Sequence, residues 1–123
     1  MTQSSNKIYN LEERTAQFGS KIIDLCKKVH ETTITRPIVS QLVRSSTSVG
    51  ANYMEANGAS SGKDFTNKIF ICKKEVQETK HWLRMLLGCA DNLQSEILSI
   101  MDECRQLILI FQKISSTMKE KAS

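Results

Sequence analysis

Residues 44–56 read RSSTSVGANYMEA, from Arg44 to Ala56. The fold turns on whether this stretch is helix or loop. Serine and threonine compete for backbone hydrogen bonds, and a glycine inside a helix costs about 1 kcal/mol relative to alanine. The composition of Ser45–Gly50 therefore argues for a loop. The spacing argues the other way. Ile38, Leu42, Ser45, Val49, Asn52 and Ala56 keep the four-three-four period of one helix face, and a loop would break that phase. The stretch reads as a helix whose small residues let a neighbouring backbone come close. A phosphate cradle is excluded, because no G-x-x-x-x-G-K-[ST] is present and no strand precedes Gly50.

Working outward, three more faces of the same period appear. Leu11, Thr15, Phe18, Ile22, Leu25 and Val29 form one, fading in the β-branched run HETTIT. Phe65, Ile69, Cys72, Val76, Thr79, Leu83, Leu86 and Ala90 form another. Leu98, Met101, Cys104, Ile108, Phe111 and Ser115 form the last, widened by a parallel line of Ile97, Ile100, Leu107, Ile110 and Ile114. Asn10 and Ser95 are candidate N-caps, Pro37 suits a first turn, and Gly58 is a stop. Ser61 with Asp64 three residues on is a reduced capping box. The sequence thus predicts helices over 10–32, 36–58, 62–91 and 95–118, with polar tails at 1–9 and 119–123. Seams of similar length joined by short connections predict one all-α domain, an antiparallel up-down four-helix bundle.

The chain has 123 residues, one proline and five glycines, too few breakers for a many-turned β fold. The formal charge of +4 is mild. No apolar run reaches the length of a membrane span and the N-terminus lacks a signal-peptide core, so a cytoplasmic location is expected. Cys26, Cys72, Cys89 and Cys104 show no C-x-x-C spacing and fall at or beside apolar positions, as reduced core thiols do.

If the second and third helices form a hairpin turning near Ser60, Arg44 lies opposite Val76, between Glu75 and Glu78, and Asn52 lies opposite Lys68. This predicts a structural polar network of Arg44, Ser48, Asn52, Glu55, Glu75 and Glu78. The Arg44 pair is either partly enclosed, where the planar guanidinium suits a carboxylate, or a solvated pair worth under about 1 kcal/mol. The sequence leaves both open.

At this point a resemblance is legible. QLVRSSTSVGANYMEA (41–56) followed by KDFTNKIFICKKEVQETKHWLRML (63–86) resembles the 23S rRNA-intervening-sequence proteins, whose wording is close to Q-L-x-R-S-x-T-S-[IV]-G-A-N-x-x-E-A and then E-x-x-E-[TS]-x-[YFH]-W-L. The matching positions include Gln41, Arg44, Ser45, Thr47, Ser48, Gly50, Ala51, Asn52, Glu55, Glu75, Glu78, Trp82 and Leu83. The resemblance implies a bacterial up-down four-helix bundle assembled as a ring, a homopentamer. Some relatives are encoded inside insertions in 23S ribosomal RNA genes. The similar accessory variability determinant proteins assist a reverse transcriptase in diversity-generating retroelements. A ring agrees with LILIF at 107–111, broader than one core stripe needs, which makes Leu107, Ile110 and Ile114 the expected oligomer interface.

For chemistry the residues offer little. No H-x-x-x-H is present, and Glu78-x-x-His81 gives only one copy of the motif that a diiron bundle repeats. The serines lack a G-x-S-x-G elbow. No enzyme activity, metal or cofactor is expected. Lys73, Lys80 and Arg84 share a face by spacings of seven and four, and with Arg36 and Lys113 they form a candidate nucleic-acid strip. The alternative is an ordinary solvated face interleaved with Glu75 and Glu78. The expectation is a non-catalytic oligomeric scaffold with a protein or RNA partner. The alternative is a basic nucleic-acid-binding accessory factor for RNA or a reverse transcriptase.

Overall fold

Thr32 and Thr35 decide where the first helix gives way to the second. Thr32 Oγ1 accepts the N–H groups of Ile34 and Thr35 at 3.2 and 3.0 Å. Thr35 Oγ1 accepts the Thr32 N–H at 2.9 Å and donates to the His30 carbonyl at 2.8 Å. The two hydroxyls thus offer the backbone partners that a continuing helix would have supplied. In the computed structural model, which describes residues 10–122, the first helix α1 runs Leu11–Lys27 and the second, α2, Thr35–Asn57. The first ends at Lys27 rather than at the expected residue 32.

The remaining elements are α3 at Gly62–Leu87, a 3-10 turn at Asp91–Leu93 and α4 at Gln94–Ala122. No strand occurs among the described residues. The expected N-terminal tail, 1–9, lies outside them. Ser61 caps α3 by accepting the Asp64 N–H at 3.1 Å, as its spacing predicts. Asn10 makes no side-chain cap bond. The third helix stops at Leu87 instead of residue 91 because Gln94 Nε2 donates to the Leu87 and Ala90 carbonyls at 2.7 and 3.1 Å. That bond turns the chain and starts α4 at Gln94, one residue before the expected Ser95 cap. At the other end α4 stays helical through residue 122, beyond the expected residue 118.

Residues 44–56 are helix throughout. Ser46, Thr47 and Gly50 face α1, whereas Ser45 faces α3. A methyl group on Gly50 would lie 3.5 Å from Thr15 Oγ1 and 3.6 Å from the Thr15 carbonyl oxygen. One on Gly19 would lie 3.7 Å from the Ser46 carbonyl and from Thr47 Cα. The two backbones therefore nearly touch, and the neighbour that the small residues admit is the first helix.

The core is one cluster fed by all four helices. Phe18, Ile22 and Leu25 meet Leu42 and Val49, Ile69, Val76, Leu83 and Leu86, then Ile97, Leu107 and Phe111, all fully or almost fully buried. Each such side chain contributes roughly 1.5–3 kcal/mol through burial. The first three seams are the expected ones, except that Ile38, Asn52, Phe65 and Val29 lie at their margins, half-buried. The fourth is a mixture of the two expected lines: Ile97, Ile100, Cys104, Leu107 and Phe111 are buried, while Leu98 is 53% exposed.

Across the α2–α3 and α1–α4 seams, partners descend in one helix as they ascend in the other. Ser45 meets Thr79, Val49 meets Cys72 and Glu55 meets Lys68 between α2 and α3. Lys73 meets Gln112 between α3 and α4. Arg14 meets Glu103 and Lys28 meets Glu96 between α1 and α4.

Candidate functional site

The third helix is two-sided in charge. On its α2 side, Glu75 and Glu78 converge on Arg44. Arg44 Nη2 pairs with Glu78 Oε2, Nη1 lies 3.4 Å from Glu75 Oε1, and Nε donates to Gln41 Oε1 at 3.0 Å. Trp82 Nε1 donates to Glu78 Oε2 at 3.3 Å. The arginine side chain is 46% exposed, whereas those of Glu75 and Glu78 are 14% and 32% exposed. The pair thus lies between the two readings that the sequence allowed, with a half-open cation and more enclosed carboxylates. The rest of the expected network does not join it. Ser48 Oγ donates to the Arg44 carbonyl at 2.7 Å, and Asn52 Nδ2 donates to the Ser48 carbonyl at 2.8 Å, both along α2 itself. Glu55 pairs separately with Lys68 at 2.9 Å.

Beneath the arginine, fully buried, Ser45 Oγ and Thr79 Oγ1 lie 2.8 Å apart. Thr79 Oγ1 also donates to the Glu75 carbonyl at 2.8 Å. Its one hydrogen is therefore spoken for, and Ser45 is the donor between them. With Ser46 bonded to the Val43 carbonyl at 3.4 Å, each of the three serine hydroxyls of this stretch is turned to an internal partner.

On the α4 side of the third helix the charges are basic and open. Lys80, His81 and Arg84 rim a groove of about 650 Å³ floored by Leu87, Met101 and Ile108. Lys73 reaches across the same seam to Gln112. Arg14, Arg36, Arg44 and Arg105 all pair with carboxylates. Arg84 is the one arginine among the described residues that does not. Further along the seam, Lys63, Lys119 and Lys121 gather around Gly62 and Met118. Two expected members of the strip stand apart. Arg36 is bonded to Glu31 at 3.0 Å and lines a small hollow against Cys26, Val29 and Val39 on the α1–α2 side. Lys113 is exposed on α4 and lines neither basic groove.

The expected oligomer face is also rearranged. Leu107 is fully buried in its own chain, so it has no surface to offer a second copy. Ile110 and Ile114 are half-buried beside it. The exposed apolar side chains of α4 are Leu98 and Leu109, the latter 61% exposed.

Other features escaped the sequence reading. Phe70 is 63% exposed, one position after core Ile69. It stands seven residues before Gln77 and fourteen before Arg84, hence on their side of α3. That spacing was the signal. Tyr53 and Trp82 are occupied inside the fold, by Phe111 at a 6.3 Å ring separation and by Glu78. Arg14 grips Glu103 with two bonds of 2.9 Å each and Gln106 with a third of 2.9 Å. The Glu103 carboxylate, through its hydrogen bonds and charge, holds the Arg14 guanidinium pKa above its ordinary value.

Among the described residues no group of three or more His, Cys, Asp or Glu side chains stands close enough to hold a metal. All four thiols are free. Burial pushes Cys26 up to about 11 and Cys72 and Cys104 up to about 12, far from a reactive thiolate. Among the described residues no helix is long and apolar enough to cross a membrane.

The family model for the 23S rRNA-intervening sequence protein matches residues 7–113. Among solved structures, similarity is found to a protein with unknown function from the S23 ribosomal protein family of Bacteroides thetaiotaomicron VPI-5482. The two share 30% sequence identity with a TM-score of 0.75, over 85% of this chain and 96% of that one. No curated protein matches the chain at a significant level.

Proposed function

Because the chain belongs to the 23S rRNA-intervening sequence protein family, we propose that it is a non-catalytic, oligomeric scaffold that holds a protein or RNA partner in the bacterial cytoplasm. In this reading the helices form an antiparallel up-down bundle, in keeping with the descending order of partners across the seams. Copies join head to tail and close as a ring, a homopentamer. The carrying observation is the pair Leu98 and Leu109, 53% and 61% exposed on α4. They stand about three turns apart on one side of the helix. Large exposed apolar side chains grouped on one face favour an interface, and these replace Leu107 in that role. The non-catalytic part is supported by the serines, whose hydroxyl hydrogens are directed to internal acceptors. Sedimentation equilibrium tests the assembly. The expected mass is several-fold above the 13.9 kDa of one chain, falling for Leu109→Asp. A wild-type mass of one chain would overturn the proposal.

A second reading, a nucleic-acid-binding accessory factor, is favoured by Lys80 and Arg84, which lack carboxylate partners beside the α3–α4 groove. Phosphate contacts need little beyond such charge. Purification with and without nuclease at several salt concentrations tests it. Retained RNA that is lost steeply as salt rises supports the reading, and protein free of nucleic acid removes it.

A further inference from the structure

We infer that the α3–α4 seam is a binding track for single-stranded nucleic acid, with Phe70 as the platform on which a base stacks. The inference rests on the nucleic-acid reading above and gives it a surface and a ligand class.

Three observations carry it. First, α3 sorts its charges. Glu75 and Glu78 lie toward α2, where Arg44 pairs with both and offsets one of their two charges. On α4, Asp102 is held by Arg105 and Gln106, Glu103 is paired with Arg14 of α1, and Glu96 with Lys28 just past its end. The seam between α3 and α4 is therefore left with cations, Lys80 and Arg84 among them, that make no ion pair among the described residues.

Second, those cations run the length of the helix. Lys63, Lys119 and Lys121 stand at one end, Lys80 and Arg84 at the other, and Lys73 between. From residue 63 to residue 84 the axis rises about 30 Å. A phosphate backbone laid along the seam meets positive charge throughout.

Third, Phe70, which lies between Lys63 and Lys73 along α3 and lines neither groove itself, is 63% exposed. Its burial elsewhere would favour folding, yet it stands out among lysines. A duplex hides its base faces and gives such a ring nothing to contact, whereas an unpaired base presents a π-face that stacks on any aromatic. A basic groove that tracks the backbone, combined with an exposed ring, is the arrangement that binds single strands without reading their sequence.

Fluorescence anisotropy of the full chain with labelled oligouridylate of about 20 nucleotides, and with an RNA duplex of equal length, tests the inference. The single strand is expected to bind more tightly. Phe70→Ala should weaken it by about tenfold without changing the salt slope, and Phe70→Trp should restore binding. Arg84→Gln should lower the slope by about 0.7. Equal binding of duplex and single strand would overturn the stacking inference and leave the nucleic-acid reading standing. Binding of neither would remove both. A Phe70→Ala variant that loses native mass rather than RNA affinity would reassign the ring to a contact between copies.

Discussion

Ser45 donates to Thr79 across the α2–α3 seam at 2.8 Å, with neither side chain open to solvent. This one bond joins two apolar surfaces at a fixed register, because a shift of either helix would bury an unpaired hydroxyl. Thr79→Val keeps the shape and removes the acceptor, leaving the Ser45 hydrogen without its partner. We expect a loss of about 1–3 kcal/mol. The double variant Ser45→Ala/Thr79→Val should lose less than the sum of the single losses. Urea midpoints of the four proteins measure the coupling, and simple additivity would argue that the bond carries no register information.

Arg44→Ala removes a cation that is itself half open but serves two more enclosed carboxylates. An exposed pair is worth under about 1 kcal/mol, and a carboxylate stranded with little solvent costs more. The expected loss is about 1–2 kcal/mol, with Arg44→Lys recovering only part of it because an ammonium lacks the guanidinium fork. A urea melt of Arg44→Ala within about 0.5 kcal/mol of wild type would place the pair among ordinary surface contacts.

Gly50 tests how close α1 and α2 stand. A methyl group there meets Thr15 atoms at 3.5–3.6 Å, an ordinary contact, and alanine gains about 1 kcal/mol of helix propensity. Gly50→Ala should therefore be neutral or slightly stabilising. Gly50→Leu must part the backbones and should cost about 2 kcal/mol or more. Thermal melts of the two variants check the contrast. A Leu variant as stable as the Ala variant would mean that the helices separate freely.

The thiols give a pH prediction. Cys26, Cys72 and Cys104 are raised by burial from an ordinary 9.0 to about 11, about 12 and about 12. Above 9.0 the unfolded chain releases these protons first, so it is favoured as pH rises. Stability should be complete below 9.0 and should fall steadily between 9.0 and about 12. Urea midpoints across that window measure it. Below 9.0, a thiol reagent should label exposed Cys89 rapidly and the other three slowly. Four equal labelling rates would contradict the burial.

How much of this was legible depended on whether a feature lived in one helix or between two. The seams of the first three helices follow from period alone, although Phe70 and Ile71 widen the apolar face beside Ile69. The fourth could not be phased. Leu107 to Phe111 is apolar at every position, so two adjacent stripes fit equally, and only packing against the other helices selects Leu107 over Ile108. The Arg44 pairing was readable because a tight hairpin fixes which residues face each other. Arg14 and Glu103 stand 89 positions apart with two intervening helices, and no local rule relates them. Helix ends shifted where a side chain, Thr32 or Gln94, took over backbone bonds that propensity alone does not anticipate.

The first helix is held differently on its two flanks. Against α2 it lies backbone to backbone through Gly19 and Gly50. Against α4, the sparsest of the neighbouring seams, it is fastened by Arg14 with Glu103 and Lys28 with Glu96. Dispersion contacts are indifferent to ionic strength, whereas partly exposed ion pairs are screened by it. The helix is thus a door, hinged on the α2 side and latched on the α4 side by charge. Salt loosens the latch and leaves the hinge intact, and backbone amides along the α1–α4 edge would be the first to exchange with solvent.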